Sequence, residues 1–246
     1  MQKFKIGVTE RGDAAVHSSE WIGKTSGMDA VIAITKGITP ELSKCLLMPG
    51  TKEKTILHAT ITGYGGTLLE PGAPTLAESH ARINELMRNG FPAEQIVLRI
   101  DPIIPTDKGL ALVESILRMF QDTGITRVRF SFLQYYRHAE VRFKAAGLSW
   151  PTITDEMKDR CFLLFAHFAH IYTFQSCAGS VPFKWSHVAK QTGCVSDEDI
   201  DILGLAAQLQ GLSHQRPACL CCSGKTELLA HRKPCKHGCK YCYWVG

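Results

Sequence analysis

Cys235-Lys-His-Gly-Cys239-Lys-Tyr-Cys242 places three thiols within eight residues, separated by three and then two intervening positions. A loop of that length can wrap three corners of a cubane [4Fe–4S] cluster. Three ligands leave one iron open, and an open iron can take the amino and carboxylate groups of S-adenosylmethionine. Reductive cleavage there gives methionine and a 5′-deoxyadenosyl radical, chemistry that belongs to the cofactor while the protein positions it. Zinc is the rival, because cysteines two to four residues apart also have zinc-finger spacing. Against zinc, ribbons use two separate CxxC pairs, whereas this spacing is uneven and an aromatic, Tyr241, stands just before the last cysteine.

Six of the ten cysteines lie after Gly204, in a stretch with little apolar periodicity. In a reducing compartment, clustered thiols are better explained by metal ligation than by disulfides. Cys45 and Cys161 fall instead on helical faces and read as small packed hydrophobes. Other polar groups gather at the ends of strand-like segments. Thr62-Gly63-Tyr64-Gly65 would let a ligand approach the backbone or simply make a tight turn. Arg99 and Asp101 share one side of a strand, so if that side is interior they should pair with each other or with a ligand. Arg11 and Asp13 repeat the spacing, and Lys36 and Ser131 end two further segments. His231, Arg232, Lys233, Lys236, His237 and Lys240 make the terminal segment basic, which reads first as a solvated surface.

Positioning such groups needs a rigid scaffold. Six strands are expected, at residues 5–9, 30–35, 55–63, 95–104, 126–133 and 172–178. Between them lie helical stretches with readable ends. Thr75 and Glu78 form a capping box with Gly90 at the far end; a second helix covers 110–120, a third begins near Thr154, and a fourth starts at Ser196 with Asp199 in the capping position. Alternating strand and helix predicts a parallel sheet, for which a barrel and an open doubly wound sheet both fit. Ligands in such folds bind at the carboxyl ends of the strands. The chain of 246 residues suits one domain, 45% apolar and 21% charged, without low-complexity runs. Its apolar stretches are too short to cross a bilayer, and residues 1–7 lack the features of a leader, so a cytoplasmic protein without a membrane span is expected. The net charge of +5 would favour a polyanionic partner without requiring one.

The tail Cys-Lys-His-Gly-Cys-Lys-Tyr-Cys-Tyr resembles that of the DUF1848 family, distantly similar to the spore photoproduct lyase group. Thr9-Glu-Arg11-Gly-Asp13, Ile34-Thr35-Lys36, Ile61-Thr62-Gly63-Tyr64-Gly65 with Glu70-Pro71, Arg99-Ile-Asp101-Pro102-Ile103 and Ser131-Phe132 also look like family segments. The resemblance implies a partial TIM-type (β/α)6 barrel over residues 1–204, with a cysteine-rich iron–sulfur segment, 205–246, packed on it. It implies a radical S-adenosylmethionine enzyme whose cluster is held by Cys235, Cys239 and Cys242 and served by an external flavodoxin- or ferredoxin-like electron donor. Tyr241, Tyr243, Thr62, Gly63, Arg99, Asp101 and Ser131 are the expected contacts to S-adenosylmethionine or substrate, Tyr241 packing against adenine. The family also tends to have cysteines matching Cys177, Cys194, Cys219 and Cys221, which could hold a second Fe–S cluster or zinc. The chain departs from the family at Cys222, an extra thiol, and over residues 223–234. The expected substrate is a nucleobase or nucleotide, as in DNA repair, isomerisation or hypermodification. Two other classes remain: a zinc- or cluster-stabilised nucleic-acid-binding module without catalysis, and a TIM-barrel hydrolase whose cysteines are structural.

Overall fold

A computed structural model describes residues 4–177, 179–205, 220–221, 224–229 and 235–243. Strands β1 (Ile6–Val8), β2 (Ala30–Thr35), β3 (Thr55–Thr60), β4 (Ile96–Ile103), β5 (Arg127–Phe132) and β6 (Thr173–Cys177) fall where the sequence predicts six. Between them run α1 (Ser18–Thr25), α2 (Pro40–Leu46), α3 (Leu76–Arg88), α4 (Asp107–Phe120), α5 (Arg137–Ala145) and α6 (Asp155–Phe168). Then follow β7 (Ala189–Thr192), α7 (Asp197–Ile202) and β8 (Lys225–Glu227). The capping boxes of α3 and α7 are formed as their residues predict. Two strands, β7 and β8, and two helices, α1 and α5, go beyond the expected set, while α2 sets Cys45 on a helix as its sequence suggests.

All eight strands are parallel, in the order β7-β6-β5-β4-β3-β2-β1-β8. A monotonic run from β1 to β6 with right-handed crossovers puts the connecting helices on one face. The apolar packing agrees. Val31, Ala33, Leu57, Leu98, Val128, Phe130 and Phe174 point outward against Trp21, Leu42, Leu86, Leu117 and Phe165 of the helices. The opposite face carries Ile6, Val8, Ala30, Ile32, Ile34, Ile56 and Val97, covered by Val195 and Ile200 of α7 and its leading turn.

Closure into a barrel is not what the strand pairing shows. Among the described residues no ladder joins β7 to β8, so the sheet is open. Its ends nevertheless approach at the carboxyl side, where Cys177 and Cys194 of one end pack with Cys221 of the other. The segment from 205 onward also contributes a strand to the sheet, since β8 pairs with β1.

The inner face turns polar on moving from β1 towards β6. Register aligns Thr60, Arg99, Arg129 and Gln175 in one row. Arg129 is wholly buried and donates to Asp199 (3.3 Å), Gln175 Oε1 (2.6 Å) and the Cys194 carbonyl (2.9 Å). Arg127 completes the group through Asp199 (2.5 Å) and the Glu94 carbonyl (2.9 Å). His58 accepts from Arg129 at 3.3 Å, and burial followed by the arginine charges holds it neutral. This charged plug occupies the inner face between α7 and the strands.

Candidate metal centre

Residues 235–243 lie over the carboxyl ends of β1, β2 and β3, fastened by side chains that follow each of those strands. After β1, Asp13 accepts from Thr35 Oγ1 (2.7 Å), from the Lys36 amide (2.8 Å) and from His237 Nε2 (2.9 Å). His237 Nδ1 faces the Gly72 carbonyl at 3.1 Å. Both ring nitrogens thus meet acceptors, so both must donate and the imidazole is a cation. The titration tendencies agree. Burial would lower the His237 pKa, but Asp13 raises it overall; burial would raise that of Asp13, but His237 and the Lys36 amide hold it below its usual value.

After β2, Lys36 donates to Glu70 Oε1 (2.9 Å) and to the Tyr241 hydroxyl (2.8 Å). After β3, Thr62 (2.5 Å) and Tyr241 donate to the same carboxylate oxygen. Glu70 is buried, and three donors on one oxygen satisfy its charge. The Lys36 pKa is raised: burial opposes this, but Glu70 and Cys239 outweigh it. Backbone contacts complete the seat. The Gly72 amide donates to the His237 carbonyl (3.0 Å), the Lys240 amide to the Leu69 carbonyl (2.9 Å), and Arg142 of α5 to the Lys240 and Cys242 carbonyls. Gly238, at φ +61°, makes the turn between Cys235 and Cys239.

Cys235 is exposed, and Cys239 and Cys242 are partly so. Burial pushes the Cys239 thiol up to about 12, opposed by Lys36, and the other two thiols raise it further. Three thiols within each other's field, backed by half-buried Lys36 and buried His237, form a donor set whose charge as thiolates is partly met by the protein. That chemistry fits an anionic thiolate-bound iron–sulfur cluster.

The remaining expected contacts divide into two groups. Arg99 pairs with Asp101, as same-side charges on an interior strand should, and Ser131 donates to that carboxylate. These three form a polar shelf at the carboxyl ends of β4 and β5. Thr62, in contrast, is committed to Glu70, and Gly63 serves the turn. Gly63 lies at φ +80°, and a Cβ there would meet Leu112 at 3.0 Å, so its backbone approaches α4 and not a ligand space. Tyr241 is only 7% exposed and its hydroxyl is held between Lys36 and Glu70. Tyr243, at 38%, is the more accessible ring of the two; its hydroxyl donates to the Glu10 carbonyl at 3.0 Å.

A second thiol group lies across the same edge. Cys177 Sγ is 3.2 Å from Cys194 Sγ, and the Cys194 amide is 3.4 Å from Cys221 Sγ. Glu10, Cys194 and Cys221 present ligand atoms within 4.8 Å of one another. Cys219, expected as a fourth thiol here, lies outside the described residues, as do Cys222 and His231, Arg232 and Lys233. The solvated reading of the basic tail fails for His237, which is buried against Asp13. Glu10, Glu70 and Arg142 were not singled out by sequence as site residues. Lys36, directly after β2, and Asp13, in the loop that follows β1, carried a usable signal as polar residues past a strand end; Arg142, on a helix of mixed polarity, carried none.

A family model described as "Domain of unknown function (DUF1848)" matches residues 5–244. No curated protein matches the chain.

Proposed function

The chain belongs to the DUF1848 family, and on that footing we propose that it is a radical S-adenosylmethionine enzyme acting on a nucleobase or nucleotide, built on a partial (β/α) barrel. The observation that carries this reading is the seating of the Cys235–Cys239–Cys242 loop over the carboxyl ends of β1, β2 and β3, where parallel α/β proteins bind ligands. A [4Fe–4S] cluster bound there would supply, with S-adenosylmethionine at an open iron, reductive formation of a 5′-deoxyadenosyl radical.

The protein's own residues do the rest. Asp13 and His237 fix the loop to β1, while Lys36, Glu70 and Tyr241 fix it to β2 and β3. Lys36 and His237 place positive charge beside the thiols, which favours the reduced state of a cluster held there. The shelf of Arg99, Asp101 and Ser131 offers both signs of charge to an amino acid carboxylate, an amine or a base edge. Tyr243 offers a ring at the loop's rim for stacking. The net charge of +5 suits a polyanionic substrate; a duplex base would have to be flipped out to reach this edge.

Anaerobic reconstitution with iron and sulfide, followed by dithionite and S-adenosylmethionine, is expected to yield 5′-deoxyadenosine. A fully loaded cluster that yields none overturns the reading. Zinc without iron in anaerobically purified protein would favour a non-catalytic nucleic-acid-binding module instead.

A further inference from the structure

The two ends of the open sheet meet at four donor side chains drawn from four separate places. Glu10 follows β1, Cys177 ends β6, Cys194 follows β7, and Cys221 precedes β8. We propose that Glu10, Cys177, Cys194 and Cys221 hold a single divalent ion of the zinc type, which clasps the β1–β8 end of the sheet to the β6–β7 end. The inference is independent of what the terminal loop binds.

Spacing separates one ion from a cluster. Around a tetrahedral ion with metal–sulfur bonds near 2.3 Å, neighbouring sulfurs stand roughly 3.8 Å apart. The observed 3.2 Å between Cys177 and Cys194 lies near that value, and the ligand atoms of Glu10, Cys194 and Cys221 all fall within 4.8 Å of one another. A cubane's thiolates bind different irons and need a core of metal and sulfide between them, for which sulfurs 3.2 Å apart leave no room.

The close approach is built in. A Cβ on Gly193 would meet the Leu220 carbonyl at 2.8 Å and Cys221 Cα at 3.0 Å, so glycine is what lets the two segments touch. All three cysteines are buried, and simple packing as small hydrophobes does not explain the charged company they keep. Glu10 receives Lys225 Nζ on Oε1 at 2.5 Å, the kind of outer contact that orients a ligating carboxylate, and Arg129 holds the Cys194 carbonyl at 2.9 Å. With three thiolates and a carboxylate around a divalent ion the net charge is minus two, part of which the Lys225 ammonium on Glu10 meets.

The test uses the full chain carrying Cys235→Ser, Cys239→Ser and Cys242→Ser, so that the terminal loop cannot contribute. Titrated with Co(II) under anaerobic, reducing conditions, it should bind one equivalent with thiolate charge-transfer bands and the intense visible absorption of a tetrahedral site, displaced by one equivalent of Zn(II). Adding Cys194→Ser should abolish the signal. Adding Glu10→Gln should weaken binding at least tenfold while keeping the thiolate bands. X-ray absorption of the zinc-loaded wild type should show three sulfurs and one lighter ligand, a readout that needs no variant to fold. Iron–iron scattering from the triple variant, a disulfide between Cys177 and Cys194 in place of metal, unchanged affinity in Glu10→Gln, or a four-sulfur shell would each overturn the assignment. Loss of radical chemistry in the triple variant alongside retained Co(II) binding would separate this site from the terminal loop.

Discussion

At Gly72 the site tolerates no side chain. A Cβ there would stand 2.1 Å from the Lys236 carbonyl oxygen and 3.1 Å from His237 Cα, both backbone atoms that cannot swing aside. Gly72→Ala should therefore push residues 235–243 off the sheet edge. We expect a destabilisation of about 1–3 kcal/mol, the usual cost of overpacking, and several-fold less iron retained after anaerobic reconstitution; unchanged iron in a folded variant would show that the seat is not what holds the loop. The cysteine spacing that points to a metal was legible in the sequence, and so was the Arg99–Asp101 pair, because two residues apart on a strand means one side. His237 was not. Its partner Asp13 is 224 positions away, and no local pattern distinguishes a buried imidazolium from a solvated one beside lysines. Glu70 was hidden likewise, since a carboxylate in a turn looks exposed until Lys36, Thr62 and Tyr241 are brought to it by three different segments.

Helices α3, α4, α6 and α7 could be read because their caps and apolar spacing are local. The Thr75 hydroxyl accepts from the Glu78 amide while the Glu78 carboxylate accepts from the Thr75 amide (2.8 Å), an arrangement set by two residues three apart. Thr75→Ala should lower stability by about 1 kcal/mol, seen as a lower urea midpoint with unchanged slope; a changed slope would mean that more than the cap was lost. Helices α1 and α5 escaped notice since neither begins with a side-chain cap, and of α2 only the helical setting of Cys45 was read. Strands β7, Ala-Lys-Gln-Thr, and β8, Lys-Thr-Glu, lack the β-branched or apolar runs that mark the central strands. Edge strands need only one ladder and little buried surface, so their sequences carry little of the signal.

Across the molecule, the parallel order was predictable from alternating strands and helices, whereas the charged plug was not, because it joins β5, β6 and α7. Asp199 is fully buried; burial alone would raise its pKa, yet Arg129 and Arg127 carry it well below the ordinary carboxylate value. With the folded value depressed below an unfolded value of about 3.9, its contribution is fully present above that pH and is lost as pH falls towards the folded value. Wild-type stability should therefore decline in acid partly through this group. Asp199→Asn should cost about 3–5 kcal/mol at neutral pH, since two guanidinium groups keep only part of their charge balance, and should flatten the acid limb; an equally steep limb in the variant would assign the effect to other carboxylates. The pairing of β8 with β1 has a temporal corollary. Until synthesis has passed Glu227, the first strand shows a bare rim, and Glu10 and Asp13 await Cys221 and His237. On the proposed assignment, metal offered to the growing polypeptide before Cys221 has been made meets an incomplete donor set, so loading waits until that residue joins Glu10, Cys177 and Cys194.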